Sequence, residues 1–226
     1  MANTIVHTRR RIPEVVNALI SAFPPPVVTP KNTYTETAGG VSSLTYSHTV
    51  DEGRHRFLVV CIGNTETVTG VTYDGNPLTE QGSHSTANGR TCIYTLVDPP
   101  VGTYDITISG DGNNYMEVGS VDFTGVDAST PASYDSNTPT PPDADISFTL
   151  GSTDYMIAIV KYWSDTGSAT PDVGQTAVLE GTSDGSWRSI CDMKSGDGST
   201  NIGYSDVNAT SEVSMSGIKI NASALL

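Results

Sequence analysis

Long apolar runs are missing from this chain of 226 residues. The longest, such as FLVVCIG at 57–63, falls far short of the ~20 residues that a membrane-spanning helix needs. Charge is scarce as well, with only 16% of residues Asp, Glu, Lys or Arg. Basic residues are the scarcer sign, 11 against 25 acidic, for a net charge of −14. Such a surface repels phosphate backbones and anionic lipid, so neither nucleic acid nor membrane is an expected partner. Cysteine is limited to Cys61, Cys92 and Cys191. The odd count, the wide spacing and the lack of a CxxC pair exclude a disulfide framework and a zinc site. They read as small buried hydrophobes of a protein made in a reducing compartment. Of the four histidines, none sits in a GxSxG elbow or an HExxH pattern. His48 and His55 flank a turn at 51–53 and read as a surface pair. A carboxylate pair for glycoside hydrolysis is set by the fold, and no residue here stands out for that role. No enzyme is expected.

What is abundant is Gly, Pro, Ser, Thr, Asn and Asp, the vocabulary of short strands and turns. Strand-like text recurs at 41–50, 57–63, 68–75, 90–97, 103–109, 116–125, 145–150, 154–163, 176–181, 186–194, 201–206 and 211–221. FLVVCIG, apolar without interruption, predicts a central strand covered on both faces. DEG, DGNP, PPVG, SGDGNN, SDTG and SDG read as the turns between strands. The stretch STPASYDSNTPTPPDAD (129–145) reads as a crossover between sheets rather than a linker, because neither half alone has enough strands to close a core. The expectation is an all-β body over 32–226, a single antiparallel, jelly-roll-like β-sandwich, behind an N-terminal arm over 1–31.

The arm differs from the body. RRRIPEVVNALISAFPPP occupies 9–26, and residues 1–31 hold four basic groups against Glu14 alone, a net of +3. The remaining seven basic and 24 acidic residues leave the body at −17. Val16, Leu19, Ile20 and Phe23 recur at the spacing of one helix face, with Pro13 near the start and PPP as the stop. A helix this short is marginal alone and must dock on something. An export signal fits less well, because Glu14 and Asn17 interrupt the apolar region and no small-x-small site precedes PPP. The arm therefore reads as an anchor. Arg9, Arg10 and Arg11 would meet acidic surface on a partner subunit. Val16, Leu19, Ile20 and Phe23 would fill a groove there or bundle with sister copies in a homo-oligomer.

Two further patterns carry chemistry. SGDG occurs at 109–112 and 195–198, which makes Asp111 and Asp197 calcium candidates, although Asp-Gly hairpin turns need no metal. No other cofactor is expected. Trp163 and Trp187, with Tyr94, Tyr162 and Tyr204, could supply a stacking platform for sugars. Tyr162 and Trp163 are adjacent, so a strand points them to opposite faces.

Three long segments resemble one known family. VTGVTYDGNPLTEQG (68–82), YTLVDPPVGTYDITIS (94–109) and VGSVDFTGVDASTP (118–131) follow, in order and spacing, its VTYGG…NPPAGT…FTGVD pattern. SLTYSHTVDEGRHRFLVVCIG (43–63) fits its opening, and DYMIAIV, PDVGQTAV and MSGIKINA fit its close. This recurrent β-sandwich domain belongs to surface proteins of bacteria and archaea and to structural proteins of tailed phages. Asp74 stands where the family often has glycine, Asp98 where asparagine is usual, and the arm is extra. The resemblance implies a β-sandwich without catalytic residues. With the arm, it implies a virion protein made in the host cytoplasm: a capsid decoration, head-fibre, neck or tail-associated component. Its partners would be other virion proteins. The alternative is an extracellular or cell-surface adhesion module that binds host glycan.

Overall fold

A computed structural model describes residues 27–87, 89–141, 143–163, 169–182, 186–196, 198–205, 207 and 213–223. The chain forms β1 (Thr29–Val50), β2 (Phe57–Asn64), β3 (Val68–Tyr73), β4 (Asn76–Pro77) and β5 (Thr79–Thr86). Next come β6 (Gly89–Val97), β7 (Gly102–Thr124), β8 (Ala132–Asn137), β9 (Ala144–Thr149) and β10 (Tyr155–Trp163). They are followed by β11 (Thr170–Pro171), β12 (Thr176–Thr182), β13 (Trp187–Ser195), β14 (Ser199–Ser205) and β15 (Ser214–Ile220). The described residues are all-β and contain no helix. Every strand pairing is antiparallel.

Three sheets result. The first runs β4-β3-β7-β2-β6-β5 with β1 alongside β7, the second β12-β13-β10-β15-β8, and the third β11-β14-β9. The first sheet curls back on itself along the β1–β7 ribbon. Residues 102–109 of β7 pair with β3 and with 43–50 of β1, while its later half pairs with β2 and with the first half of β1. The bend falls at SGDGNN, where Gly112 (φ +66) is left-handed, and the β1–β7 ladder loses register there around Gly40 (φ +73) of β1. This text was expected to be a turn between two strands. Instead β7 continues through it, because β1 pairs with both of its halves.

The curl encloses one core, with Leu44, Tyr46, Val71, Tyr73, Ile106 and Ile108 facing Leu58, Val60, Ile62, Tyr94, Met116 and Val118. A second core lies between the first and second sheets, built by Phe57, Val59, Cys61, Val121 and Phe123 against Ile157, Ile159, Leu179, Cys191, Ile218 and Ile220. The third lies between the second and third sheets, where Met156, Val160, Tyr162 and Met215 meet Ile146, Ile202 and Tyr204. All eight residues of β2 are buried, alternate ones in different cores. Its unbroken apolar text reflects this double burial. The three cysteines are free and buried, and burial pushes the Cys92 and Cys191 thiols up. That keeps them protonated and weakly nucleophilic.

Several elements depart from expectation. β1 starts at Thr29, pairing Thr29 and Pro30 with Thr124 and Phe123 inside the stretch read as arm. Pro30 is tolerated because β1 pairs on one side only. Two strands carry little apolar text: β5, an edge strand on β6, and β8, within 129–145. Residues 129–145 lead from the second sheet, through β8, to the third, through β9. At the β3–β4 hairpin, Asp74 (φ +50) and Gly75 (φ +74) both take the left-handed conformation of a tight two-residue turn. Asp98 (φ +48) is also left-handed. Both positions differ from the resembled pattern, and Asp is among the few residues that tolerate this region.

Candidate functional site

Both ends of the described body meet at one place. Val28 is buried and donates its N–H to Thr153 O (3.1 Å). Ser223 N donates to Gly125 O (2.8 Å), and a side chain at Gly125 would strike Val27 O at 2.4 Å. Asp154 fastens this end: its carboxylate accepts from Ala222 N (2.9 Å) and Gly151 N (2.8 Å) and pairs with Lys219 (3.1 Å). Burial alone would push the Asp154 carboxyl up, but these donors together hold it below the ordinary carboxylate range.

From there the contact between the first two sheets changes character along its length. It starts apolar, with the Phe123 and Tyr155 rings 6.0 Å apart. The nine residues of β10 carry it roughly 27 Å to Trp163. Toward that far end the inward side chains turn polar: Thr91, Glu117, Lys161, Ser189, Ser214 and Ser216 are all buried. Lys161 Nζ contacts Glu117 Oε2, and Ser189 Oγ donates to the same oxygen at 2.9 Å. Thr91 Oγ1 bonds Ser214 Oγ (3.0 Å) and Ser216 Oγ (2.8 Å), and Ser214 continues to His84 Nδ1 (3.1 Å). Burial lowers the His84 pKa. Over this layer, Lys161 Nζ lies 5.2 Å from the Trp187 ring centroid, and Trp187 meets Trp163 edge to face at 4.8 Å.

Glycine makes the room. A Cβ at Gly63 would lie 1.9 Å from Ser189 Oγ and 3.2 Å from Lys161 Cδ. At Gly89 (φ +142) it would lie 2.8 Å from Lys161 Cγ and 3.3 Å from Trp187 Cζ3. Beside the cluster a cavity of about 220 Å³ is lined by Gly181 and Ser189 together with Glu180, Thr182 and Arg188.

A second buried set holds a serine, a histidine and an aspartate inside the curled sheet. His48 Nδ1 is 2.9 Å from Ser120 Oγ, and Nε2 is 3.4 Å from Asp122 Oδ1 without a hydrogen bond between them. Asp122 instead accepts from Asn32 N (2.8 Å) and Asp51 N (3.3 Å). These residue types can activate a hydroxyl nucleophile. Here, however, Ser120 and His48 are both 0% exposed, so no substrate reaches Oγ. The set pins β1 to β7. His48 therefore does not form the surface pair with His55 that its sequence position suggested, since β1 alternates and points it inward with Leu44 and Tyr46.

The other sequence candidates are scattered. Trp163 and Trp187 are brought together, each partly exposed, and Tyr162 is buried on the opposite face of β10. Tyr94 and Tyr204 are buried in two different cores and share no platform with the tryptophans. Asp111 is exposed on the bend of β7, where its N–H donates to Thr67 O (2.9 Å). No group of three His, Cys, Asp or Glu side chains suited to a metal exists among the described residues. Asp197, and Arg9, Arg10, Arg11, Val16, Leu19, Ile20 and Phe23 of the arm, lie outside the described residues. Sequence reasoning missed Lys161, Glu117 and Ser189. The available signal was a charge inside apolar text, IAIVKYW and MEVGSVDF, which requires a buried partner. No protein-family model matches the chain, and no curated protein matches it significantly.

Proposed function

We propose that the protein is a structural component of a tailed-phage virion, a decoration, head-fibre, neck or tail-associated protein. On this reading the stacked sheets are one elaborated, jelly-roll-like sandwich that the arm anchors to the particle. Arg9, Arg10 and Arg11 meet acidic partner surface, and Val16, Leu19, Ile20 and Phe23 dock as an apolar stripe. Copies associate as a homo-oligomer and assemble in a reducing host cytoplasm, where buried free cysteines are stable. The body acts by display and binding and is not an enzyme.

The observation that carries this reading is polarity. A segment of net charge +2 (residues 1–26) precedes a body of −16, and it enters where Val28 and Ser223 meet, at the end of β10 remote from Trp163. One end is thus suited to attachment and the other to presentation. Deleting residues 1–26 is expected to leave a folded body that no longer joins its particle. Normal incorporation of the truncated chain would overturn the anchor.

A second reading, a carbohydrate-binding adhesion module, is favoured by one observation: the partly exposed Trp163–Trp187 pair at the remote end. Trp163→Ala is the cleaner test, because Trp187 also packs over Lys161. Glycan-array binding by the parent chain that disappears in this variant, with the fold intact, would support it. No binding by the parent chain would remove it.

A further inference from the structure

We propose that Lys161 and Glu117 condense into an intramolecular isopeptide bond that ties the first sheet to the second. The two side chains come from β10 and β7, are fully buried, and touch through Nζ and Oε2. A buried lysine beside a buried carboxylate is costly to keep as ions, because both lose their hydration. It is also reactive in one specific way: the nucleophile and the acyl group are held together for the life of the fold, so the effective concentration is very high.

Proton transfer from Nζ to Oε2 gives the amine and the acid, the two reacting forms. The Nζ lone pair attacks Glu117 Cδ, forming the C–N bond and a tetrahedral carbon. Ser189 Oγ, already donating to Oε2 at 2.9 Å, gives that oxygen its proton and recovers one from the nitrogen. The Cδ–Oε2 bond breaks, and Oε2 leaves as water with two protons. The products are one amide and one water, and no oxidant or external reagent is needed. Ser189 also lines the cavity of about 220 Å³, which gives the departing water somewhere to go. The clearances at Gly63 and Gly89 fit this role, since a side chain at either would push Lys161 or Ser189 out of line. The bond would close a loop between positions 44 residues apart.

The proposal stands independently of what the body is attached to, and the test needs no particle. The full chain is purified, denatured and weighed by intact-mass spectrometry, then digested. The expected result is a mass lower than the sequence mass by one water, with a branched peptide joining the segments around Glu117 and Lys161. Lys161→Arg is expected to return to its full sequence mass. The full sequence mass in the parent chain, with the two segments recovered as separate peptides, would overturn the bond. Ser189→Ala is expected to slow linkage at least about tenfold when the chain is refolded and sampled over time. Linkage at the parent rate would overturn the role of Ser189 as proton carrier.

Discussion

The two buried polar clusters use similar residues for different ends. Within the curled sheet, Ser120, His48 and Asp122 join β1 to β7, and the aspartate is stabilised by backbone N–H groups of Asn32 and Asp51. Between the sheets, Ser189, Lys161 and Glu117 join β13 and β10 to β7, and the carboxylate faces a side-chain ammonium. The first cluster stays within one sheet, whose ladder already fixes β1 against β7. The second crosses between sheets that share no ladder hydrogen bonds, so side chains alone set their alignment there. A third buried carboxylate, Asp192 on β13, has neither device. Its Oδ2 lacks a hydrogen-bond partner among the described residues, and burial pushes the carboxyl up to about 6 against a partial lowering by Tyr204. How a fold solvates a buried carboxylate thus differs by position: backbone within a sheet, a cation between sheets, or, below about pH 6, a retained proton.

This contrast can be broken most severely at Lys161. Lys161→Met removes both the cation beside Glu117 and the amine that the proposed bond needs, and is expected to cost at least about 3–5 kcal/mol, read from the denaturant midpoint. The double variant Lys161→Met/Glu117→Leu should recover part of that loss, because it removes the stranded charge. Additive losses in the double variant would show that the pair is not coupled.

Asp192 comes next. Its folded value of about 6 lies above the ordinary 3.8, so the fold prefers the protonated form. Its contribution is fully present below about pH 4, is lost as pH rises through about 6, and is flat above that. The shift corresponds to about 3 kcal/mol. The Asp192→Asn variant should lose this slope in a series of denaturant midpoints from pH 4 to 7. An unchanged slope would assign it to other groups.

Asp122→Ala should cost less, roughly 1–3 kcal/mol, because backbone donors at Asn32 and Asp51 lose their acceptor near the surface. The smallest effect is expected on the outer face of the same ribbon, where Thr45 and Thr107 pair across β1 and β7 in solvent (3.2 Å). Thr45→Ala should change stability by less than about 0.5 kcal/mol. Comparable losses at Thr45 and Asp122 would show that the ribbon, not the buried cluster, carries the stability.

Much of the architecture was legible in the text. FLVVCIG announces a strand buried on both faces, DYMIAIVKYW announces a strand, and Asp74–Gly75 announces the tight hairpin, because local pattern and turn chemistry act over a few residues. β5 and β8 were not legible. TEQGSHST and ASYDSN have too few apolar residues to show alternation and become strands through the partners β6 and β15. The clusters were hidden for another reason. Ser120 lies 72 positions from His48, and Ser189 lies 72 from Glu117, so only the register of the long β7 brings each set together. The aromatic platform was half legible, since adjacency separates Tyr162 from Trp163, but nothing local pairs Trp163 with Trp187.

On the proposed reading the body has an orientation, with attachment at the end of Val28 and Ser223 and presentation at the end of Trp163 and Trp187. Electron microscopy of assembled particles, with the body resolved, tests it directly. Density with Val28 and Ser223 facing the particle and the two tryptophans pointing outward is the expected result. A body mounted the other way round, or missing from the particles, would overturn the proposed orientation.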